Sequence, residues 1–244
     1  MEELPFTEDY CFFRPPEDWR CILEFRLVYS GPLSSSPDAT EKHALRKCFH
    51  KQLKELWHKH PLLKQQAEVP GLYYETPSNM VSYPGPGVPQ FHPAEGQNAK
   101  PYVEYVADNF PLGKYRFVPL VQEKLAACSL DILFLRHEAP GHVVRRNGGD
   151  IDGRIVTLFD GLRRAQKTEE LGTFKTPDAD EDPFYCLLED DRSITELHVT
   201  TDRLLLPPQS GHALNNVHLI IHVATESINP EALFADVHML RLGL

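Results

Sequence analysis

The chain has 244 residues, a formal charge of −10 and a hydrophobic content of 41 %, enough for a sizeable core, and its apolar runs all fall short of a membrane helix's ~20 residues. Its five cysteines are odd in number, widely separated and without C-x-x-C spacing, which excludes a disulfide framework and a zinc knuckle as organising features. The expectation is a soluble, globular, cytoplasmic protein without a membrane partner, since the opening Met-Glu-Glu-Leu-Pro lacks the basic-then-apolar layout of a secretory signal.

In chain order, the prolines Pro5, Pro15 and Pro16 make residues 1–19 an irregular arm. Residues 19–29 alternate as a strand, with Cys21, Leu23, Phe25 and Leu27 on one face, and Gly31-Pro32 is expected to stop it. Asp38, with Glu41 three residues later, forms a capping box. Leu45, Cys48, Phe49, Leu53, Leu56 and Trp57 then recur at helical spacing as far as Pro61. His58 and His60 flank the end of this helix as surface or capping residues.

Residues 65–115 are rich in Pro, Gly and Tyr and read as an accessory insertion. Its aromatics, Tyr102 and Tyr105 among them, are expected to anchor it to the body, although stacking on unpaired bases would use the same residues. Residues 125–135 follow as a strand with apolar side chains on both faces, the pattern of a central strand.

A basic, glycine-containing loop then carries Arg145 and Arg146 into Gly149-Asp150-Ile151-Asp152-Gly153-Arg154-Ile155-Val156-Thr157-Leu158-Phe159-Asp160-Gly161-Leu162. The apolar spacing of Ile151, Ile155, Leu158, Phe159 and Leu162 is helical, so two carboxylates sit at a helix N-terminus, where free N–H groups and the dipole stabilise them. An acidic pair there is also an ordinary way to cap a helix; what suggests a hard cation is two carboxylates that repel unless one joins them. Beyond it, residues 168–183 form an acidic loop, assigned to solvent because apolar residues to fix it are scarce. Residues 184–188 and 193–201 are strands on either side of Asp190-Asp191. Residues 217–223 form another strand, and 230–240 a short C-terminal helix.

Taken together, G-D-I-D-G-R-I-V-T-L-F-D-G-L and E-D-D-R-S-I-T-E-L-H-V resemble the RusA family of Holliday-junction resolvases over residues 130–205, about a third of the chain. An acid-apolar-acid triplet opens a helix ending in F-D-x-L, and a D-D pair then leads into a strand. The resemblance implies that Asp150, Asp152 and Asp191 bind Mg²⁺ or Mn²⁺ and act in catalysis, with Asp190 supporting the shell. It further implies branched DNA as substrate, held by Arg145, Arg146 and Arg154, and a homodimer suited to a two-fold junction. Two positions depart from the pattern, since Gly153 stands where the family usually has Asn and Val156 where it has a catalytic Lys. A lost lysine removes a cation that would stabilise the transition state.

The expected architecture is a single RusA-like α+β domain, a mixed β-sheet with helices packed on one side, carrying the 65–115 insertion and the 168–183 loop. Residues 168–244 hold fourteen acids against four bases, which is the whole net charge. Residues 41–64, with seven Lys/Arg against two Glu, are therefore available to face phosphates, with the acidic segment turned away; a merely solvated basic face is the alternative. Three functions are compatible with these residues: a metal-dependent endonuclease for branched DNA, a RusA-like module that binds nucleic acid or protein without cutting, and a nucleotide phosphohydrolase.

Overall fold

The computed structural model of the chain describes residues 21–68, 101–137, 151–205 and 216–228. Strand β1 (Cys21–Pro32) pairs antiparallel with β7 (Asn216–Ser227), which pairs antiparallel with β4 (Ala126–Arg136), which in turn pairs parallel with β6 (Ile194–Arg203). The order β1-β7-β4-β6 makes β4 an inner strand, as apolar residues on both its faces predict. β1 ends at the expected Gly31-Pro32, with Pro32 its last paired residue, opposite Asn216. Alternation sets the faces: Leu23, Leu27, Leu130, Ile132, Leu219 and Ile221 are buried, whereas Glu24, Arg26 and Asp131 point outward into solvent.

A second, three-stranded sheet has the order β2-β3-β5, from β2 (Pro111–Leu112), β3 (Tyr115–Val121) and β5 (Phe184–Leu188). Here β2 and β3 are antiparallel while β3 and β5 are parallel. The fold is thus α+β with mixed strand directions, as expected, but with two sheets where one was expected. β3 is not legible in the sequence because Pro119 interrupts its pattern and five of its seven residues are buried, so no alternation shows. Beyond Arg116 only one edge of β3 is paired, which makes room for a proline with no N–H to offer.

Among the described residues four helices pack against the sheets: α1 (Ala39–Lys59), α2 (Pro61–Glu68), α3 (Tyr102–Asn109) and α4 (Ile151–Leu162). The capping box of α1 is present, with Glu41 N–H donating to Asp38 Oδ1 at 2.8 Å and Asp38 N–H to Glu41 Oε2 at 3.1 Å. Leu45, Phe49, Leu53 and Trp57 recur every fourth residue and are buried against Leu27, Leu130, Ile221 and Leu158 in the main core. Each such side chain contributes roughly 1.5–3 kcal/mol of burial, so α1 is held by packing more than by propensity. His60 is its C-cap and His58 is exposed, as read. Part of the 65–115 stretch is regular, since the end of α2 and all of α3 and β2 fall within it, and Tyr102 and Tyr105 pack on the main core as anchors. Residues 1–19, 69–100 and the expected helix at 230–240 lie outside the described residues.

The acidic loop is where the structure departs most from the sequence reading. It is not turned away into solvent but lies along α1. Lys47 Nζ contacts Asp178 Oδ2 at 2.6 Å and Glu181 Oε1 at 2.7 Å, Arg46 pairs with Glu170 at 2.9 Å, and Lys54 Nζ donates to the Asp180 carbonyl at 2.6 Å. The loop does carry apolar anchors: Leu171 is buried in a second cluster with Tyr115, Phe117, Phe184 and Cys186, and Phe174 lies against His43. Arg46, Lys47 and Lys54 of the basic stretch therefore seat this loop, while Lys51 and Lys59 stay exposed.

Gly172 is the tightest point of that docking. Its φ of +58° suits glycine, and a Cβ there would lie 2.5 Å from the Thr40 backbone nitrogen. Gly172→Ala should therefore cost about 2–4 kcal/mol in urea unfolding, from left-handed backbone strain plus displacement of the first turn of α1. Unchanged stability would mean that the loop is not seated on α1.

Candidate functional site

The motif residues are distributed along one connected unit: β4, then α4, then β5 and the Asp190-Asp191 turn, then β6. Asp150, Arg145 and Arg146 lie outside the described residues. Asp152 occupies the first turn of α4, exposed, with its Oδ1 accepting from Gly153 N–H at 2.7 Å. Gly153 is pressed against the loop before α1: a Cβ at this position would lie 2.9 Å from Ser35 Cβ and 3.1 Å from the Ser35 carbonyl oxygen. That contact leaves no room for the asparagine usual in the family. Val156 is 60 % exposed, one turn beyond Asp152 on the same face, so the position of the family lysine is open to solvent but uncharged.

Arg154 points elsewhere. It is 2 % exposed, so its guanidinium belongs to the interior and not to a surface that a phosphate reaches, contrary to the expected phosphate contact. The helical period explains this, because residue 154 falls on the buried side of α4 with Ile155, Thr157 and Leu158, opposite the Asp152–Val156 stripe.

At the other end of α4, Asp160 forms a charged node that the sequence reading did not single out. Its Oδ2 accepts from Lys42 Nζ at 2.7 Å and its Oδ1 from Arg163 Nη2 at 2.6 Å. Partial burial opposes its ionisation, but these two cations hold its pKa below the usual carboxylate value. Arg163 also donates to Glu170 at 3.0 Å, and Arg46 reaches the Arg163 carbonyl at 3.1 Å, so α1, α4 and the loop share one ionic network. This accounts for the F-D-x-L aspartate as a structural residue. The only local signal was the i,i+3 spacing of Asp160 and Arg163.

Asp190 and Asp191 stand where β5 has ended and β6 begins. Asp190 caps a three-residue 3-10 turn, Asp191–Ser193, and accepts from Arg192 N at 3.1 Å and Arg192 Nε at 2.9 Å. Those hydrogen bonds push its pKa down, while burial and then the neighbouring Asp190 carboxylate push that of Asp191 up. The pair therefore holds a proton more readily on Asp191, a carboxylic acid beside a carboxylate. The α4-side groups acting on Asp191 are Arg163 and Asp160, and Arg164 N–H donates to the Leu188 carbonyl at 2.9 Å. Asp191 thus sits by the C-terminal end of α4.

The structure therefore brings Asp190 and Asp191 together and sets Asp152 near the opposite end of α4, roughly 15 Å away along the helix axis at 1.5 Å per residue. Mg²⁺ draws its oxygen ligands to ~2.1 Å. Asp152 and Asp191 do not fit one such ion as they stand, and among the described residues no three His, Cys, Asp or Glu side chains converge on a cation-sized point. The cations that act on Asp191 are Arg163 and the adjacent Arg192, neither of them one that the sequence suggested. No helix among the described residues is long and apolar enough to cross a membrane. Comparison with family models, curated proteins and solved structures returns no significant match.

Proposed function

We propose that this chain is a RusA-like endonuclease that hydrolyses phosphodiesters in branched DNA with Mg²⁺ or Mn²⁺, acting in the cytoplasm as a homodimer. One observation supports the reading above the others. Asp152 is exposed in the first turn of α4, and the D-D pair leads through a 3-10 turn into β6, the strand that runs parallel to β4, which supports the order of elements in the resembled motif. In this proposal Asp152 presents a carboxylate at the positive end of α4 and acts with Asp150, Asp190 and Asp191 supply a second carboxyl pair, and Arg145 and Arg146 hold phosphates. Lys42, Arg46 and Lys47 of α1 are already paired with Asp160 and the acidic loop, which favours that arginine loop as the phosphate contact.

The test is incubation of the purified protein with four-way, forked, duplex and single-stranded DNA in Mg²⁺ or Mn²⁺. Cutting confined to branched substrates is expected, with Asp152→Asn and Asp191→Asn each slowing it by ~10²–10³, the range for losing one group that stabilises transition-state charge. A specific observation favours a second reading, a module that binds without cutting: the uncharged, exposed Val156 at the family's lysine position. Tight junction binding with no cleavage in either metal would select it. Neither binding nor cleavage would remove both readings.

A further inference from the structure

The outer face of the four-stranded sheet carries a polar row that the proposed reaction does not use. Strand register sets Arg26 of β1 opposite His222 of β7, His222 opposite Asp131 of β4, and Asp131 opposite His198 of β6. Their strand neighbours Leu27, Leu130, Ile132, Val199, Ile221 and Val223 pack in the main core, so alternation turns the four polar residues to the other side. One carboxylate thus stands between two imidazoles, each a single strand spacing of ~4.8 Å away across the sheet.

Two of these three side chains already meet. His198 Nδ1 lies 3.0 Å from Asp131 Oδ1, close to the ~3.4 Å that separates two ligand atoms on one tetrahedral cation with bonds of about 2.0–2.1 Å. An exposed His–Asp ion pair adds little stability by itself. It also has no need of a second histidine in register on the far side of the carboxylate. That histidine keeps a carboxylate of its own within reach, since His222 Nε2 lies 3.6 Å from Glu24 Oε2.

We propose that His198, Asp131 and His222 bind a Zn²⁺ ion, with Glu24 or water in the remaining coordination positions. Two imidazole nitrogens and one carboxylate oxygen suit a borderline transition metal, whereas hard Mg²⁺ prefers oxygen ligands throughout. As the side chains stand only His198 and Asp131 meet, and one rearrangement completes the set: His222, whose side chain is 34 % exposed, turns from Glu24 toward Asp131. His198 stays in place; its ring proton stands on Nε2 and Nδ1 becomes the ligand. The charges around the row favour a cation, because Glu24, Asp131 and Glu196 outnumber Arg26, which stands beyond His222 from the carboxylate. The bound ion clips β6 and β7 to β4. None of its ligands is an acid of the proposed nuclease reaction, so the site is tested without DNA.

Calorimetric titration of the chelator-treated protein with Zn²⁺, in a large excess of Mg²⁺, should show a micromolar site. His198→Ala, His222→Ala and Asp131→Asn should each raise its dissociation constant about tenfold or more, the loss of one ligand. His218→Ala, on the same face of β7 but outside the row, should leave it unchanged, as should Asp152→Asn and Asp191→Asn. Zn²⁺ at about a hundredfold excess over Kd should raise the melting temperature of the parent by roughly 5–10 °C, and that of His222→Ala by much less. The melting temperatures without metal show whether each variant is folded. Co²⁺ in place of Zn²⁺ should give visible absorption bands that change in His198→Ala and in His222→Ala. A parent without a Zn²⁺ site that survives Mg²⁺, or parental affinity in folded His198→Ala or His222→Ala protein, would overturn the proposal. So would loss of the site in Asp152→Asn or Asp191→Asn, which would place the ion on the nuclease acids instead.

Discussion

Arg46→Ala should lower the unfolding free energy by about 3–5 kcal/mol, the cost of breaking a buried charge pair from one side. The Arg46 side chain is fully buried between α1, α4 and the loop. Its Nε donates to the Arg163 carbonyl at 3.1 Å, Nη1 to the Glu170 carbonyl at 3.0 Å and Nη2 to Glu170 Oε2 at 2.9 Å. Alanine would strand three acceptors and open a cavity as well. Against the 5–15 kcal/mol by which domains of this kind are stable, the loss is a large fraction. Urea unfolding at pH 7.5 measures it, and a double-mutant cycle with Glu170→Gln separates the pair from the cavity. A loss below 1 kcal/mol would mean that the loop and α4 are not joined through this guanidinium.

The second large effect is acid sensitivity. His43 is fully buried on α1 among Tyr115, Phe174 and Phe184, and burial, then the charges of Arg46 and Lys47, lower its pKa from 6.5 to about 3. His50, also buried, shifts in the same direction, with burial the main cause. Its Nδ1 accepts Tyr185 N–H at 2.8 Å, so Nε2 carries the proton toward the Asp180 carbonyl at 3.2 Å and the ring is neutral. A base with a depressed folded pKa contributes its full stability above its unfolded pKa. That contribution is lost as pH falls from 6.5 toward 3, at up to ~1.4 kcal/mol per pH unit for His43. Between pH 6.5 and 4.5 the parent should therefore lose about 2–3 kcal/mol through this residue. His43→Leu, close to it in volume, should remove that part of the slope; parallel pH profiles for parent and variant would refute the assignment.

Both effects lie on the side of α1 that the sequence reading offered to DNA. Seven cations against two acids over residues 41–64 is a true count, but the acids that neutralise Lys42, Arg46 and Lys47 come from residues 160–181, and Lys54 is held by the Asp180 backbone carbonyl. Charge tallies by segment cannot detect a pairing that distant. The buried Arg154 is a related lesson within one helix: the resemblance implied a phosphate contact, and the phase of α4 turned it inward.

Local periodicity and capping chemistry were enough to determine α1 with its Asp38–Glu41 box, the strand at Phe184–Leu188, α4 through Leu162, the alternation of β1, and the strands β4 and β7. Each depends on residues within a few positions of one another, and the hydrogen bonds or burial that form it repeat at a fixed spacing. Tertiary structure alone decided the split into two sheets, the Pro119-containing β3 and the seating of the acidic loop. It also set Asp191 beside Arg163 at the far end of α4 from Asp152. These are set by contacts between segments far apart in the chain, where the partner's identity fixes the energy and no repeat in the sequence announces it.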